Sequence, residues 1–203
     1  MKYYHTALKG KFETHFPDPE NIVDNFVDDV GNKIFTQDIM FEPLSKEFER
    51  CDAIYCEPPF PHGFKVFNER ANKNYLSGYD MFCQRIQKIV FQELKNKRPL
   101  FMVTNKKLLS FLPYPHDSKP MLLNDNPETI SVWNYKIDFD FITNYELISN
   151  LIQFDCIGDF CCGYGSPLIH FLKSGGKNIV GSDFDNKCIT VFKDRLVQKE
   201  YLL

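Results

Sequence analysis

Two short stretches hold residue types that can do chemistry together. In "CDAIYCEPPF" an apolar run reaches Glu57, and Pro58, Pro59 and the ring of Phe60 follow. A carboxylate accepts hydrogen bonds, two prolines stiffen the backbone so that a carbonyl keeps one direction, and a ring offers a flat surface to a planar guest. In "FDCIGDFCCGYGSPLIHFLKSGGKNIVGSDFD" the pattern is strand, glycine turn, helix, second strand, acid. Gly163 and Gly165 can take backbone angles barred to other residues and leave no side chain between loop and ligand. Asp183 follows Gly165 by eighteen residues, where a carboxylate can accept both hydroxyls of a ribose. That spacing points to a nucleoside-containing ligand. The third glycine of the dinucleotide fingerprint is replaced by Leu168, which disfavours a dinucleotide. The competing readings are a bare αβ turn without a ligand and an ordinary proline-stopped strand.

Helix and strand patterns alternate over most of the chain, which predicts an α/β fold with a mainly parallel sheet covered on both faces. "DPENIVDNFVDDVG" predicts an amphipathic helix with Asp18 as N-cap, Pro19 in its first turn and Gly31 as its stop. "KIFTQDI" predicts a strand ending near Asp38, "DAIYCE" the next, "YDMFCQRIQKIVFQELKN" a helix and "PLFMVT" a buried strand. Residues 111–128 are Pro-rich and read as irregular, and "TISVWNYKIDFDF" as an antiparallel edge or hairpin piece. Thr143 and Glu146 form a capping box before "ELISNLIQ". Ser166 reads as the cap of the helix after the glycine turn, Gly175 and Gly176 as its end, and Asp185 as the cap of the last helix.

The 203 residues suit one domain, and 43% apolar content with twenty Phe argues against disorder. A net charge of −3 gives no global footprint for a polyanion. Seven cysteines without paired CxxC spacing indicate neither a zinc site nor a disulfide framework, so no metal is expected. No signal-peptide core and no run near the roughly 20 apolar residues of a membrane span is present, and the expectation is a cytoplasmic protein.

Asp159-x-x-x-Gly163-x-Gly165 resembles the first motif of the S-adenosylmethionine (SAM) methyltransferases, and "GSDFD" is similar to their second. "EPPF" resembles the (D/N/S)PP(Y/F/W) motif of amino-methyltransferases acting on DNA, RNA or glutamine amides. "FTQDIMFEPLSKEFERCDAIYCEPPF" resembles the opening of the permuted members, in which the catalytic motif comes first and the SAM loop last. The resemblance covers about two thirds of the chain and implies a circularly permuted, Rossmann-like, doubly wound sheet forming a single domain over 1–203. Its parts would be an N-terminal extension (1–17), a catalytic half (33–110) and a SAM half (143–203). It implies SAM as cofactor, with Asp159, Cys161, Gly163, Gly165 and Asp183 around it and Asp38 near its adenine. Glu57 and the Pro58 carbonyl would hold the target amine, backed by Pro59, with Phe60 stacked on it. The implied substrate is nucleic acid, foremost adenine in DNA.

Glu57 departs from the motif by one methylene. The non-catalytic partner in the eukaryotic RNA adenine-methyltransferase pair carries a Glu-Pro-Pro-Leu version, so a binding-only subunit is an alternative, as is a small-molecule or protein-amide methyltransferase. The chain also lacks room for a target-recognition insert between Glu57 and Asp159. Sequence reading would fall to residues 1–17, to 111–128 or to a partner subunit. Lys95, Lys97, Arg98, Lys106 and Lys107 read as a solvated rim that can meet phosphates, His62 as a turn residue, Tyr3, Tyr4 and His5 as a mobile terminus and Trp133 as core.

Overall fold

The four parallel-strand runs richest in apolar residues are buried on both sides, and this sets the architecture. The computed structural model describes residues 22–70, 78–123 and 126–202. Tyr3, Tyr4, His5, Asp18 and Pro19 lie outside them. The strands are β1 (Asn25–Val27), β2 (Lys33–Thr36), β3 (Ala53–Cys56), β4 (Leu100–Thr104), β5 (Asp117–Leu123), β6 (Asn126–Trp133), β7 (Cys156–Asp159) and β8 (Asn178–Asp183). The helices are α1 (Pro61–Arg70), α2 (Gly78–Asn96), α3 (Lys106–Leu109), α4 (Asn144–Asn150), α5 (Ser166–Lys173) and α6 (Asn186–Val197).

All eight strands form one sheet in the order β1-β2-β8-β7-β3-β4-β6-β5. The run from β2 to β4 is parallel, while β1 and β6 are antiparallel to their neighbours. Numbered from the glycine strand β7, and passing from α6 to β2 as if the chain ends were joined, the parallel strands read 3-2-1-4-5. That is the doubly wound order in permuted form, with β6 inserted before the last strand.

Alternation along each strand divides the core. Ala53, Tyr55, Phe101, Val103, Ile157 and Ile179 pack with α4, α5 and α6 on one face. Ile54, Cys56, Leu100, Met102, Cys156 and Val180 pack with α2 on the other. A period of two sends neighbouring residues to opposite faces, so strands covered on both sides are apolar at every position. Trp133 is fully buried, and its Nε1 donates to the Pro113 carbonyl at 3.1 Å. The capping box at Thr143 and Glu146 and the Asp185 cap are formed.

Several expectations are corrected. The predicted helix ending at Gly31 is absent from the described residues 22–31, which instead carry β1 and a tight turn. Asp28 Oδ1 accepts from the backbone of Val30 and Asn32 at 3.1 and 2.8 Å, Gly31 takes φ +90°, and β1 pairs back onto β2. Val27 and Val30, which the apolar face of such a helix would bury, are 53% and 57% exposed. Local Asp–backbone bonds compete with a helix, and β-branched residues favour the strand. The second correction is that residues 117–123, read as irregular, form the edge strand β5, with Pro120 at an edge where a missing N–H is tolerated. The third concerns Ser166, which is the first residue of α5 rather than its cap. Gly165 is the N-cap at φ +74°, and Ser166 Oγ accepts from Arg195 Nη1 at 3.0 Å.

Arg98 belongs to no solvated rim. It is buried against Glu93, with Nε–Oε2 2.6 Å and Nη2–Oε1 3.2 Å, and its Nη1 also donates to the carbonyls of Phe48 and Cys51. Lys107 is paired with Asp80 at 2.7 Å. Among the described residues no helix is long and apolar enough to cross a membrane.

Candidate active site

β7 and β3 are neighbours whose chains leave in opposite directions, β7 crossing through α5 to β8 and β3 through α1 and α2 to β4. Their carboxyl ends flank the crevice in which ligands of doubly wound sheets bind. The glycine turn at β7 is held by backbone donors on carboxylates. Cys161 N donates to Asp159 Oδ1 at 2.8 Å, Gly163 N to Asp183 Oδ2 at 2.9 Å and Asp185 N to Asp183 Oδ1 at 3.0 Å. Asp183 therefore fastens the loop of one strand to the end of the next.

The two glycines serve different ends. Gly163, at φ +51°, has nothing within 4 Å of where a Cβ would stand, and it lines the cavity. Gly165, at φ +74°, would put a Cβ 2.3 Å from the Phe192 ring, and it lies outside the lining. Gly165 is thus a packing and cap position, and the freedom to approach a ligand belongs to Gly163. Leu168 is fully buried, with its Cδ1 3.1 Å from the Cβ position of Gly181.

Tyr55 lies on β3 and Glu57 directly after its end, two residues on and turned to the same side, where the two side chains meet. Tyr55 Oη donates to Glu57 Oε1, and Asn144 Nδ2, in the first turn of α4, donates to the same oxygen at 2.8 Å. Among the described residues no donor engages Glu57 Oε2 or the Pro58 carbonyl. The extra methylene of Glu57 is thus taken up by a clamp on one carboxylate oxygen. Burial raises the Glu57 pKa, with the two hydrogen bonds opposing, and it raises that of Tyr55 well above the phenol range, with Glu57 adding to it.

Glu57 and Pro59 line the cavity, whereas Pro58 is buried outside the lining. Phe60 also lies outside it, packing on the core of the α4–α6 face. Helix α1 starts at Pro61 directly after the motif, so His62 is an exposed residue of its first turn rather than of a loop. The aromatic surface comes instead from Phe64 and Phe67 of α1, with Tyr145, Phe160, Tyr164 and Phe184.

The cavity measures about 270 Å³. Asp38, Glu57, Asp159 and Asp183 are its titratable carboxyl lining, and among the described residues no Lys, Arg or His lines it. Burial holds the Asp159 carboxyl well above its usual range, and the nearby Glu57 and Asp183 charges add to this. Clustered carboxylates and ring faces in a low-dielectric pocket favour a cation. Asp38 sits on the turn after β2, where its Oδ1 accepts from Met40 N at 3.1 Å. Arg85 of α2 ties this turn down by donating to the carbonyls of Ile39 and Glu42. Cys161 and Cys162 also line the cavity. No group of three metal-ligating side chains occurs among the described residues.

The predicted residues Asp38, Glu57, Pro59, Asp159, Cys161, Gly163 and Asp183 thus meet at one cavity, and Pro58, Phe60 and Gly165 stand behind it. Sequence reasoning missed Tyr55, Asn144 and the rings of α1. Tyr55 was within reach of the strand period, being two residues before Glu57. Asn144 lies 87 residues further along the chain, and no local pattern links the two.

No family model matches the chain, and no curated protein is similar to it. Among solved structures the chain is similar to M1.HpyAVI in complex with SAM, with 14% identity over 80% of this chain and 98% of that one and a TM-score of 0.49. It is similar at 11% identity to TTHA0409 of Thermus thermophilus, provisionally named a DNA modification methylase and solved with S-adenosyl-L-methionine. There the coverage is 82% and 95% and the TM-score 0.48. Values this low leave the reading of the site to its own geometry.

Proposed function

We propose that the protein is a SAM-dependent methyltransferase acting on an exocyclic amino group, foremost that of adenine in DNA. The observation that carries this reading is the meeting, in one acidic and aromatic cavity, of the Gly163–Asp183 loop with the outward half of a clamped Glu57. Four carboxyl groups and ring faces, with no basic side chain among the described residues, suit the positive sulfonium of SAM. The open space at Gly163 admits a ligand against the backbone, and Asp183 lines the same cavity as a carboxylate of the type that takes ribose hydroxyls. SAM, when bound, supplies the methyl group as an electrophile.

The protein's own work is at the acceptor. An aromatic amine is a poor nucleophile because its lone pair is delocalised into the ring. Glu57, which lines the cavity, accepts one of the amine hydrogens through Oε2 and favours a pyramidal nitrogen whose lone pair faces the methyl, while Pro58, buried outside the lining, stiffens the backbone behind it. A carboxyl whose pKa is raised by burial is also a better proton acceptor as the amine becomes cationic. The Tyr55–Glu57–Asn144 clamp favours a glutamate built into a working site over a decayed one.

Calorimetry with SAM and S-adenosylhomocysteine tests the cofactor, and absence of binding by either ends the reading. Tritiated-methyl transfer to DNA, RNA and a glutamine-containing peptide tests the acceptor. Glu57→Asp, too short to keep both clamp bonds, is expected to lower transfer. A gain would point to a decayed site in a binding-only protein.

A further inference from the structure

The seven cysteines are free thiols, and two of them meet across neighbouring strands. Cys51 lies two residues before β3 and Cys156 opens β7, and their sulfurs are 3.6 Å apart although 105 residues separate them along the chain. The backbone beside them is pinned. Asp52 N donates to the Cys156 carbonyl and Cys156 N to Asp52 Oδ2, each at 2.9 Å. Ala53 pairs with Ile157 in the parallel register, so continuing that register sets Asp52 opposite Cys156 and Cys51 one step before it. A strand spacing and a rise per residue of the usual size then put the two Cα atoms about 6 Å apart, inside the span that a disulfide bridges.

Gly158 makes room for the contact. A Cβ there would stand 3.1 Å from Cys51 Sγ and 2.7 Å from the Phe48 ring, so the bare backbone lets the Cys51 thiol lie over β7 on the α2 face. Each cysteine adjoins an exposed aspartate, Asp52 or Asp155, at the amino edge of the sheet. Cys51 and Cys156 are 5% and 6% exposed, whereas Cys56 and Cys83 are at 0%, and a small oxidant needs only such an opening. The cavity lies at the opposite edge, and its lining includes neither thiol. A hydrogen bond from Cys51 lowers the Cys156 pKa against the effect of burial, with the Arg50 guanidinium helping, and the same bond raises the pKa of Cys51. A favoured thiolate beside a second thiol is the arrangement of a reactive cysteine and its resolving partner.

We propose that Cys51 and Cys156 form a reversible oxidation site, at which a peroxide joins the amino ends of β3 and β7 through a disulfide. The Cys156 thiolate attacks one peroxide oxygen, the O–O bond breaks, and the other oxygen leaves as hydroxide and takes a proton to become water. The Cys51 sulfur then attacks the resulting sulfenic acid, the S–S bond forms, the S–O bond breaks, and that oxygen departs with the Cys51 proton as a second water. Two thiols thus give up two electrons and two protons to one peroxide. The bond closes a loop spanning 105 residues and so restricts the unfolded chain, while the carboxyl edge is left as it was. This inference is independent of the cofactor reading.

The test treats the ligand-free protein with dilute hydrogen peroxide, alkylates the remaining thiols in denaturant and maps the peptides without reductant. One peptide pair joined through Cys51 and Cys156 is expected, with a loss of two hydrogens from the intact mass that dithiothreitol restores. The oxidised wild type should melt about 5–15 °C higher than the reduced form. Cys51→Ala should form no bond, show no such rise, and leave a Cys156 sulfenic acid that dimedone traps. The mapping needs no variant and decides the matter even where Cys51→Ala fails to fold. Cys51 and Cys156 recovered as alkylated thiols while the more exposed Cys161 is oxidised, or an oxidised protein that melts no higher than the reduced one, overturns the inference.

Discussion

Replacing Tyr55 with Phe removes one hydroxyl from a fully buried ring and leaves the ring's packing intact. The hydroxyl is one of two donors on Glu57 Oε1, the other being Asn144 Nδ2 at 2.8 Å. A hydrogen bond to a charged group is worth about 1.5–3 kcal/mol. If that stabilisation positions Oε2 in the transition state, its loss lowers turnover by roughly ten- to a hundredfold, at about 1.36 kcal/mol per factor of ten. Asn144 still holds the oxygen, which favours the lower part of that range. Tyr55 does not line the cavity, so SAM affinity should be unchanged. Without the phenol donor the Glu57 carboxyl is harder to ionise, and the acid limb of the pH–rate profile should move to higher pH. The assay is single-turnover tritiated-methyl transfer across a pH series, beside calorimetric SAM binding on the same preparations. Asn144→Ala alone and combined with Tyr55→Phe should give effects that do not add, since both donors serve one oxygen. A Tyr55→Phe enzyme with the wild-type rate and pH profile, or one that loses SAM binding in step with turnover, refutes the clamp.

The glycine turn yields a paired prediction. Gly163→Ala should cost about 1 kcal/mol of stability for its left-handed backbone and weaken SAM binding, whereas Gly165→Ala, whose Cβ would meet the Phe192 ring at 2.3 Å, should cost about 3 kcal/mol or more. Thermal melts and calorimetry of the two variants check this, and equal stability losses would count against it. Burial raises the carboxyl pKa values of both Glu57 and Asp159. The folded state then holds these protons longer than the unfolded one, so their contribution to stability is complete below the unfolded carboxylate range near about 4 and falls as pH rises through the folded values. The ligand-free protein should melt lower at mildly alkaline than at mildly acidic pH, with Glu57→Gln flattening the slope; a melting temperature that climbs steadily with pH would contradict it.

Local patterns carried much of the fold. The apolar runs at 53–56 and 100–103, the Thr143–Glu146 box and the glycine turn with Asp183 each encode their geometry within a few residues. The order of the two motifs along the chain already implied a permuted sheet, because parallel strands bring every carboxyl end to one edge. The segment 22–31 was misread because its apolar spacing also fits a helix, and the choice was made by Asp28 bonding the turn backbone and by β2 offering an edge to pair with.

From the sequence alone came the kinds of groups the site would use, namely a carboxylate with stiffened carbonyls, a permissive backbone turn and a ribose-reaching acid. Only the tertiary structure decided which glycine lines the cavity, which rings surround it, that Asn144 and Tyr55 hold Glu57, and that Asn68 buries an oxygen without a partner among the described residues. The reason is physical. Backbone preference and burial period act between near neighbours, whereas a hydrogen bond spanning 87 residues or an orphaned acceptor exists only once the layers have packed.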